Sequence, residues 1–353
     1  MGETTEFEVR AHRAGDEEAI LSAMRRAVAR EEDPSFRAPS DAVWRWRYRD
    51  APEGARLRLA VDPAGRILAH QAGVILRVLV GGALQRWVAV DDAFGDPSAA
   101  AGLGRHRPFL AALRAFAQDF GGPPPERHPV LYGLPTRRVL RFSYHLGLPT
   151  RHRGRSGDPI LDWEIVRESC VLALEPGARG EGEVGSVEVE ETASFPEEVG
   201  RLCERAAQGV GALAVRDAPF LNWRFAAHPE NRYDVGLARR RAGGALLGYA
   251  VYRLAEFEGR REGFLCDWLV PAGEDDAAVA LRTWGARRAR ADGAALAILV
   301  PDTAPEWIAF QRAGFRLRPA RDFLAVRSTQ RPFDANWLYR NWYYTLADFP
   351  RLG

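Results

Sequence analysis

Lysine is absent from this sequence, so all 49 of its basic residues are arginine. They are interspersed with 47 acidic residues, which leaves a formal net charge of only +2 over 353 residues. Proteins that bind nucleic acid usually concentrate positive charge in a patch or stripe. The scattered arginines form no such pattern, so the charge distribution predicts that nucleic acid is not a partner.

Cysteine is also scarce, with Cys170, Cys203 and Cys266 far apart in the chain and odd in number. This usage favours free thiols in a reducing compartment and argues against a disulfide framework or a zinc site. No apolar run approaches the roughly 18 residues that a membrane-spanning helix needs. The first residues are polar and largely acidic, unlike a secretory signal peptide. We therefore expect a cytoplasmic protein without a membrane span.

Two common kinds of catalytic motif are missing as well. No spacing of histidine, aspartate and glutamate matches a metal site. No Gly-x-Ser-x-Gly segment marks the nucleophilic serine of a hydrolase. The sequence therefore predicts no metal site and gives a serine hydrolase little support.

The length and the composition indicate two globular domains. A chain of 353 residues, 46% hydrophobic and 27% charged, is longer than one ordinary hydrophobic core usually accommodates. Residues 176–186 are rich in glycine and charged residues, which is typical of a linker. We expect one domain at 1–178 and a second at 179–353, which ends in an aromatic tail at 333–353.

The most informative stretch is 86–121, where a strand pattern, a glycine-rich turn and a helix pattern follow one another. Gly102 and Gly104 interrupt the chain, and Pro108 stands at the start of the helix, where its missing N–H costs nothing. A helix N-terminus with glycines before it can bind a phosphate group through backbone amides. The alternative is an ordinary connector between a core strand and a surface helix.

The two halves of the sequence repeat each other. In both halves an aromatic-arginine-aromatic segment precedes a proline by six residues, counted from its tryptophan. The matching features are Trp46-Arg47-Tyr48 with Trp223-Arg224-Phe225, Pro52 with Pro229, Asp91 with Asp267, and residues 131–148 with 297–315. The common order of these features indicates a duplicated fold.

The order of predicted elements in each half resembles the GNAT acyltransferase superfamily. It runs strand, two helices, three antiparallel strands, a glycine turn with a helix, then strand, helix and strand. The resemblance covers nearly the whole chain in two copies, here named copy one and copy two. It implies an α+β fold in which a largely antiparallel, twisted central sheet is flanked by helices.

The resemblance implies that copy one binds an acyl-coenzyme A, either acetyl-CoA or another acyl-CoA. In this family the turn after strand four holds the pyrophosphate. The implied cofactor-binding residues are Val88, Ala89, Val90, Gly102, Leu103, Gly104, Arg105 and His106. Ala99 departs from the usual arginine or glutamine of that turn.

Copy two has Glu274, Asp275 and Asp276 at the matching place, and their charges would repel a pyrophosphate. We therefore expect no cofactor site in copy two.

The resemblance also suggests catalytic residues. Asp91 and Asp92 stand at the end of strand four, where the family often places a general base. The alternative is that they form a turn or cap a helix. The family's usual acid is a tyrosine, but Ser143 and Phe310 occupy its positions in the two copies. Tyr144, one residue further along, is the candidate acid of copy one, and a tyrosine packed with an exposed hydroxyl is the alternative.

Aromatic and acidic residues outside the cofactor turn are candidates for the acceptor pocket. We expect the substrate-binding residues to be Trp46, Asp267, Trp342 and Tyr344. The tail could instead pack back across the two domains.

Taken together, the resemblance implies an N-acyltransferase in which a small-molecule amine or an amino sugar attacks the thioester directly. One alternative is a GNAT-fold binding or scaffold protein that has lost catalysis. Another is a Fem-type aminoacyl transferase, which the scattered charge disfavours because tRNA binding needs a basic groove. The oligomeric state stays open.

Overall fold

The computed structural model describes residues 6–29, 37–96, 106–137, 139, 163–176, 182, 184–257 and 260–350. Within these ranges the protein is a mixed α+β fold in which a large sheet is flanked by helices. No helix in the described part is long and apolar enough to cross a membrane. The predicted domain boundary between 178 and 179 lies outside the described residues and stays a prediction.

Copy one contributes six strands and three described helices. They are β1 (Glu8–Ala11), α1 (Glu17–Val28), α2 (Asp41–Tyr48), β2 (Ala55–Val61), β3 (Ile67–Val80), β4 (Ala83–Gly95), α3 (Arg107–Phe120), β5 (Val130–Gly133) and β6 (Glu164–Leu174). The Ser40 side chain caps α2 by accepting a hydrogen bond from the Val43 amide, and Pro108 stands in the first turn of α3. The predicted strand and helix of 86–121 are therefore present.

Copy two repeats this order and adds a C-terminal tail. Its elements are β7 (Val187–Thr192), α4 (Val199–Ala207), β8 (Ala212–Ala214), α5 (Ala218–Leu221), a π-helical turn (Asn222–Ala226), β9 (Asp234–Arg240), β10 (Leu246–Phe257), β11 (Arg260–Leu269), α6 (Asp275–Ala291), β12 (Leu296–Ile298), α7 (Trp307–Arg312), β13 (Arg316–Ser328), α8 (Ala335–Asn341), β14 (Trp342–Tyr343) and a 3-10 turn (Leu346–Asp348).

The segment 217–228 is divided into the short α5 and the π-helical turn. The Asp217 side chain caps α5, and the wider turn after it carries Trp223 and Arg224 into the core.

The two copies share one sheet because their last strands are exchanged. The main strand order is β1-β2-β3-β4-β5-β13-β6-β12-β11-β10-β9-β7. Strand β13 of copy two lies between β5 and β6 of copy one, and β6 lies between β13 and β12 of copy two. A single hydrophobic cluster runs through both copies. The sheet is therefore continuous across the molecule.

Most neighbouring strands are antiparallel, but β4 and β5 are parallel and pair at only two positions, Val88 with Leu131 and Ala89 with Tyr132. Beyond them β4 continues to Gly95, whereas β5 ends at Gly133. A parallel pair at the matching place in copy two joins β11 and β12. In each copy, the longer strand of this parallel pair, β4 or β11, therefore continues beyond the pairing with one of its edges unpaired among the described residues.

The contact between the copies centres on Trp46 and Trp223. The Trp46 indole N–H donates to the Trp223 carbonyl at 2.7 Å, and the Trp223 indole N–H donates to the Trp46 carbonyl at 2.9 Å. Their rings stack with centroids 5.0 Å apart. The repeated sequence thus produces a nearly two-fold symmetric contact.

We expect residues 1–178 expressed alone to be insoluble or unfolded, because β5 and β6 would each lose their pairing with β13 and expose apolar sheet. Solubility and far-UV circular dichroism of this fragment measure the effect. Coexpression with 179–353 is the control and should restore soluble protein. A soluble 1–178 that unfolds cooperatively would contradict the expectation.

Candidate active site

The end of β4 contains a β-bulge at the two candidate acidic residues. His70 on β3 pairs with Phe94 and Ala72 pairs with Asp91, so β4 holds one residue more than β3 over this interval. Asp92 has a φ of +50°, in the left-handed region. That conformation costs a non-glycine residue on the order of 1–2 kcal/mol, so the surroundings must hold it in place.

Every polar group of Asp92 is engaged by a neighbour. Its amide donates to Asp91 Oδ1 at 3.1 Å, and its carbonyl is 2.7 Å from His70 Nδ1. Its Oδ2 accepts from Arg47 Nη1 and from the Tyr48 hydroxyl, both at 2.6 Å. Because a carbonyl only accepts, the proton of neutral His70 is on Nδ1. Asp92 is thus a carboxylate held in one orientation.

Two carboxylates share one cation in this cluster. Arg47 Nη1 is also 3.9 Å from Asp91 Oδ2, and the three side chains are only 7 to 11% exposed. Burial opposes the charged form of Arg47, but the Asp92 and Asp91 carboxylates raise its pKa. Burial and the Asp92 charge raise the pKa of Tyr48, and burial lowers the pKa of His70. With both carboxylates ionised, the cluster carries one excess negative charge.

The strand part of the expected cofactor site adjoins this cluster. Val88 packs beneath α3 with Phe116 and Leu131, and Ala89 forms the last paired position before β4 and β5 separate. A Cβ added to Gly133 would lie 3.0 Å from the Val90 carbonyl oxygen, so glycine permits the close approach of the two strands there. The structure therefore brings Val88, Ala89 and Val90 together with Asp91 and Asp92 along one strand.

Several expected site residues fall outside the described part of the chain. They are Gly102, Leu103, Gly104, Arg105 and Tyr144, and their roles stay predictions. His106, the last residue of the cofactor set, directly precedes α3 and is half-buried.

The first turns of α3 and α6 differ in charge. The first turn of α3 has no acidic residue, and Arg107 is exposed there. At α6 the first turn contains Asp275 and Asp276, and the preceding Glu274 pairs with Arg205 at 2.5 Å. An anion is favoured at a helix N-terminus that has no carboxylates of its own. The residues of copy one therefore fit the phosphates of a coenzyme A, and those of copy two do not.

Copy two also has a bulge beside the matching aspartate, but it precedes Asp267, whereas the bulge of copy one follows Asp91. Val251 pairs with Asp267 and Tyr252 with Leu265, so β11 holds one extra residue. The Trp268 amide donates to Asp267 Oδ1 at 3.0 Å, as the Asp92 amide does to Asp91. Asp267 is completely buried, however. The groups that contact its carboxylate are the Tyr249 hydroxyl, Arg216 Nε and the Thr345 hydroxyl.

The four expected substrate-binding residues are all buried in packed surroundings. They are Trp46, Asp267, Trp342 and Tyr344, each at most 4% exposed. The Trp342 ring lies 4.7 Å from the Tyr132 ring and 5.3 Å from that of Tyr344. The tail lies across both copies, and the substrate role of these residues stays a prediction.

Sequence reasoning missed three members of the cluster, Arg47, Tyr48 and His70. A signal existed for Arg47, because the repeat contains an arginine after tryptophan in both copies, and a repeated buried arginine needs an anionic or carbonyl partner. His70 carries no such signal, since a single histidine in an apolar strand looks like any core residue.

No described group of three or more histidine, cysteine, aspartate or glutamate residues is arranged to hold a metal ion. The three cysteines are free, and Cys203 and Cys266 are buried.

The half-buried carboxyl group of Glu306 in copy two has unusual hydrogen-bond partners. The Tyr343 hydroxyl is 2.6 Å from Glu306 Oε1 and 2.9 Å from the Trp268 carbonyl oxygen. One hydroxyl proton can reach two acceptors only as a shared, three-centre hydrogen bond. A protonated Glu306 would instead give two full hydrogen bonds, because it donates to Tyr343, which then donates to Trp268. Burial raises the pKa of Glu306, which favours the same state.

We therefore expect stability to depend on pH through Glu306. A pKa raised by folding gives stability that is fully present below the ordinary value of 4.5 and is lost as pH rises through the folded value. Glu306→Gln, whose amide donates at every pH, should not show this loss. Urea unfolding at several pH values between about 4.5 and 8 compares the two proteins.

Glu197→Gln, at an exposed site in copy two, is the control and should follow the wild-type profile. Parallel pH profiles for wild type and Glu306→Gln would show that Glu306 is not protonated in the fold.

Comparison with known proteins identifies solved structures of similar architecture. No protein-family model matches the chain, and no curated protein sequence matches it. Solved structures do match. A probable N-acyltransferase of unknown function from Enterococcus faecalis V583 has a TM-score of 0.64 at 10% identity, over 95% of this chain and 74% of its own.

Two further structures extend the match. A tandem GNAT protein from the clavulanic acid biosynthesis pathway has a TM-score of 0.57 at 17% identity, over 93% of this chain and 100% of its own. Saccharomyces cerevisiae N-myristoyltransferase with bound myristoyl-CoA has a TM-score of 0.54 at 9% identity, over 91% and 79%. Identities this low establish the fold alone. The chain therefore has the GNAT N-acetyltransferase fold in two tandem copies.

Proposed function

We propose that this protein is an acyl-CoA-dependent N-acyltransferase with its working site in copy one. The observation that carries the proposal is the juxtaposition on β4 of an unpaired strand edge and two carboxylates whose side chains are 8 and 11% exposed. The edge begins after Ala89, and Asp91 and Asp92 follow directly. The fold neighbours support the class of co-substrate, since one of them is described with bound myristoyl-CoA.

The chain's own residues suit the two ends of such a co-substrate. The N-terminal amides of α3, together with Arg107, His106 and the expected turn 102–105, would hold the phosphates. The backbone of Val90, where the released edge begins, would bind the amide-containing arm, and Val88 and Ala89 would lie beside it in the paired part of β4. The co-substrate itself supplies an activated acyl group as a thioester. We take acetyl as the acyl group.

The acidic cluster would bind and deprotonate the acceptor. Its excess negative charge attracts an ammonium group, and Asp91 or Asp92 takes the proton, directly or through water. The free amine then attacks the thioester carbonyl, so a C–N bond forms and the C–S bond breaks. Tyr144 is our proposed proton donor to the departing thiolate. Arg47, Tyr48 and His70 act through Asp92 and are positioning residues.

The proposed acceptor is a small-molecule amine or an amino sugar, with neither nucleic acid nor a metal involved, in a cytoplasmic protein. Two observations favour a second candidate, a binding protein without catalysis. All four expected substrate-binding residues are buried, and Ala99 departs from the usual turn. The experiments below separate the two candidates.

Arg107→Glu should weaken coenzyme A binding by about tenfold or more, because a carboxylate in the first turn of α3 repels phosphate. The same substitution suits the helix dipole, so the fold should be retained. Isothermal titration with free coenzyme A measures the affinity.

Arg114→Glu makes the same charge change on an exposed residue about two turns further along α3 and is the matched control. Equal affinities for the two variants would exclude the α3 N-terminus, and the absence of binding to wild type up to millimolar would favour the binding-protein candidate.

Asp91→Asn and Asp92→Asn test the chemistry. The variant that removes the general base should lose at least about 100-fold in turnover and keep its affinity for coenzyme A. Thiol release from acetyl-CoA in the presence of a panel of primary amines and amino sugars measures turnover. Full activity of both variants with an acceptor that wild type uses would remove the pair from the mechanism.

A further inference from the structure

The C-terminal tail is built into the centre of the molecule. In residues 342–349, β14 pairs in parallel with β8, and a 3-10 turn follows. A capping box begins the turn, because Thr345 Oγ1 accepts from the Ala347 amide and the Asp348 carboxylate accepts from the Thr345 amide. Each residue of this segment is buried. The tail is thus an ordered part of the core.

The tail lies against the two residues of copy two that correspond to the acidic cluster of copy one. Arg224 matches Arg47 in the repeat, and it donates to the carbonyl oxygens of Leu346, Ala347 and Phe349 at 3.1 to 3.3 Å. Asp267 matches Asp91, and it accepts from the Thr345 hydroxyl at 2.7 Å.

A fully buried ion pair fastens the end of the segment. Arg216 donates to both carboxylate oxygens of Asp348, at 2.6 and 2.9 Å, and to Asp267 at 3.3 Å. Removing one partner of such a pair leaves an uncompensated buried charge, which strongly destabilises the fold. The tail therefore does not leave this place without major loss of stability.

The same segment reaches into copy one through Tyr132. The Tyr132 hydroxyl donates to the Asp348 carbonyl at 3.0 Å, and its ring packs edge-on against Trp342 and Phe349 at 4.7 and 5.7 Å. Tyr132 is opposite Ala89 at the last paired position of β4 and β5. It thus stands where the released edge of β4 begins.

We propose that the tail is the permanent occupant of the acceptor cleft of copy two, and that through Tyr132 it positions β5 at the cofactor opening of copy one. The inference rests on the proposed function, which locates the acceptor and cofactor regions of copy one. The occupant is a peptide of this chain, bound through its carbonyl oxygens and one hydroxyl. Tyr132 is accordingly a positioning residue for the cofactor.

Tyr132→Phe tests the link between the tail and the cofactor opening. It removes one hydroxyl and keeps the ring, and we expect it to weaken free coenzyme A binding by about fivefold or more in isothermal titration. The control is Tyr252→Phe, which removes the hydroxyl of another buried tyrosine, whose partner is Asp292, away from the tail. The control should leave the affinity unchanged.

Thr345→Val tests the same link from the copy-two side. It removes the hydroxyl that contacts Asp267 while leaving every residue of copy one intact. We expect Thr345→Val to weaken coenzyme A binding. In the double variant with Tyr132→Phe, the loss of binding free energy should be smaller than the sum of the losses in the two single variants, because both substitutions act on the tail.

Three outcomes are distinguishable. Weakened binding in Tyr132→Phe and Thr345→Val, but not in Tyr252→Phe, supports the inference. Wild-type affinity in the first two, or equal weakening in all three, overturns it and leaves the proposed function intact. Failure of wild type to bind coenzyme A or acetyl-CoA up to millimolar overturns the proposed function, and the positioning role of Tyr132 with it.

Discussion

The placement of β13 between β5 and β6 is the constraint on which the rest of the molecule depends. Hydrogen bonds of the sheet pass from copy one to copy two and back, since β13 pairs with β5 on one side and with β6 on the other. Neither copy closes its own sheet without the other. The end of β5, where the strands separate beside the acidic cluster, is therefore held by a strand from the opposite end of the sequence.

The two copies share one framework, but matching residues in them contact different groups. Arg47 binds a carboxylate of its own copy, whereas Arg224 binds the backbone of the tail. The aspartate at the bulge remains partly exposed in copy one and is enclosed in copy two. The first turn of α3 has no acid and that of α6 has two. These differences are the basis for proposing the working site in copy one.

The sequence was informative where the signal is local or repeated. Strand and helix patterns located β4 and α3, and the repeat predicted two copies of one fold. The strand exchange could not be predicted, because β13 and β5 are nearly 200 residues apart and either copy's pattern is satisfied by pairing with its own strand. The cluster at Asp92 was only half predicted, since His70 and Arg47 meet it through a bulge that periodicity does not reveal. The aromatic tail had two interpretations, and burial of Trp342 decides where it packs.

The hydrogen bonds exchanged between Trp46 and Trp223 give the two copies a contact of the kind found in dimers. A contact in which each partner gives the other the same bond is the isologous contact of a two-fold symmetric homodimer. Here the two partners are parts of one polypeptide, so the contact forms within one molecule and does not depend on protein concentration.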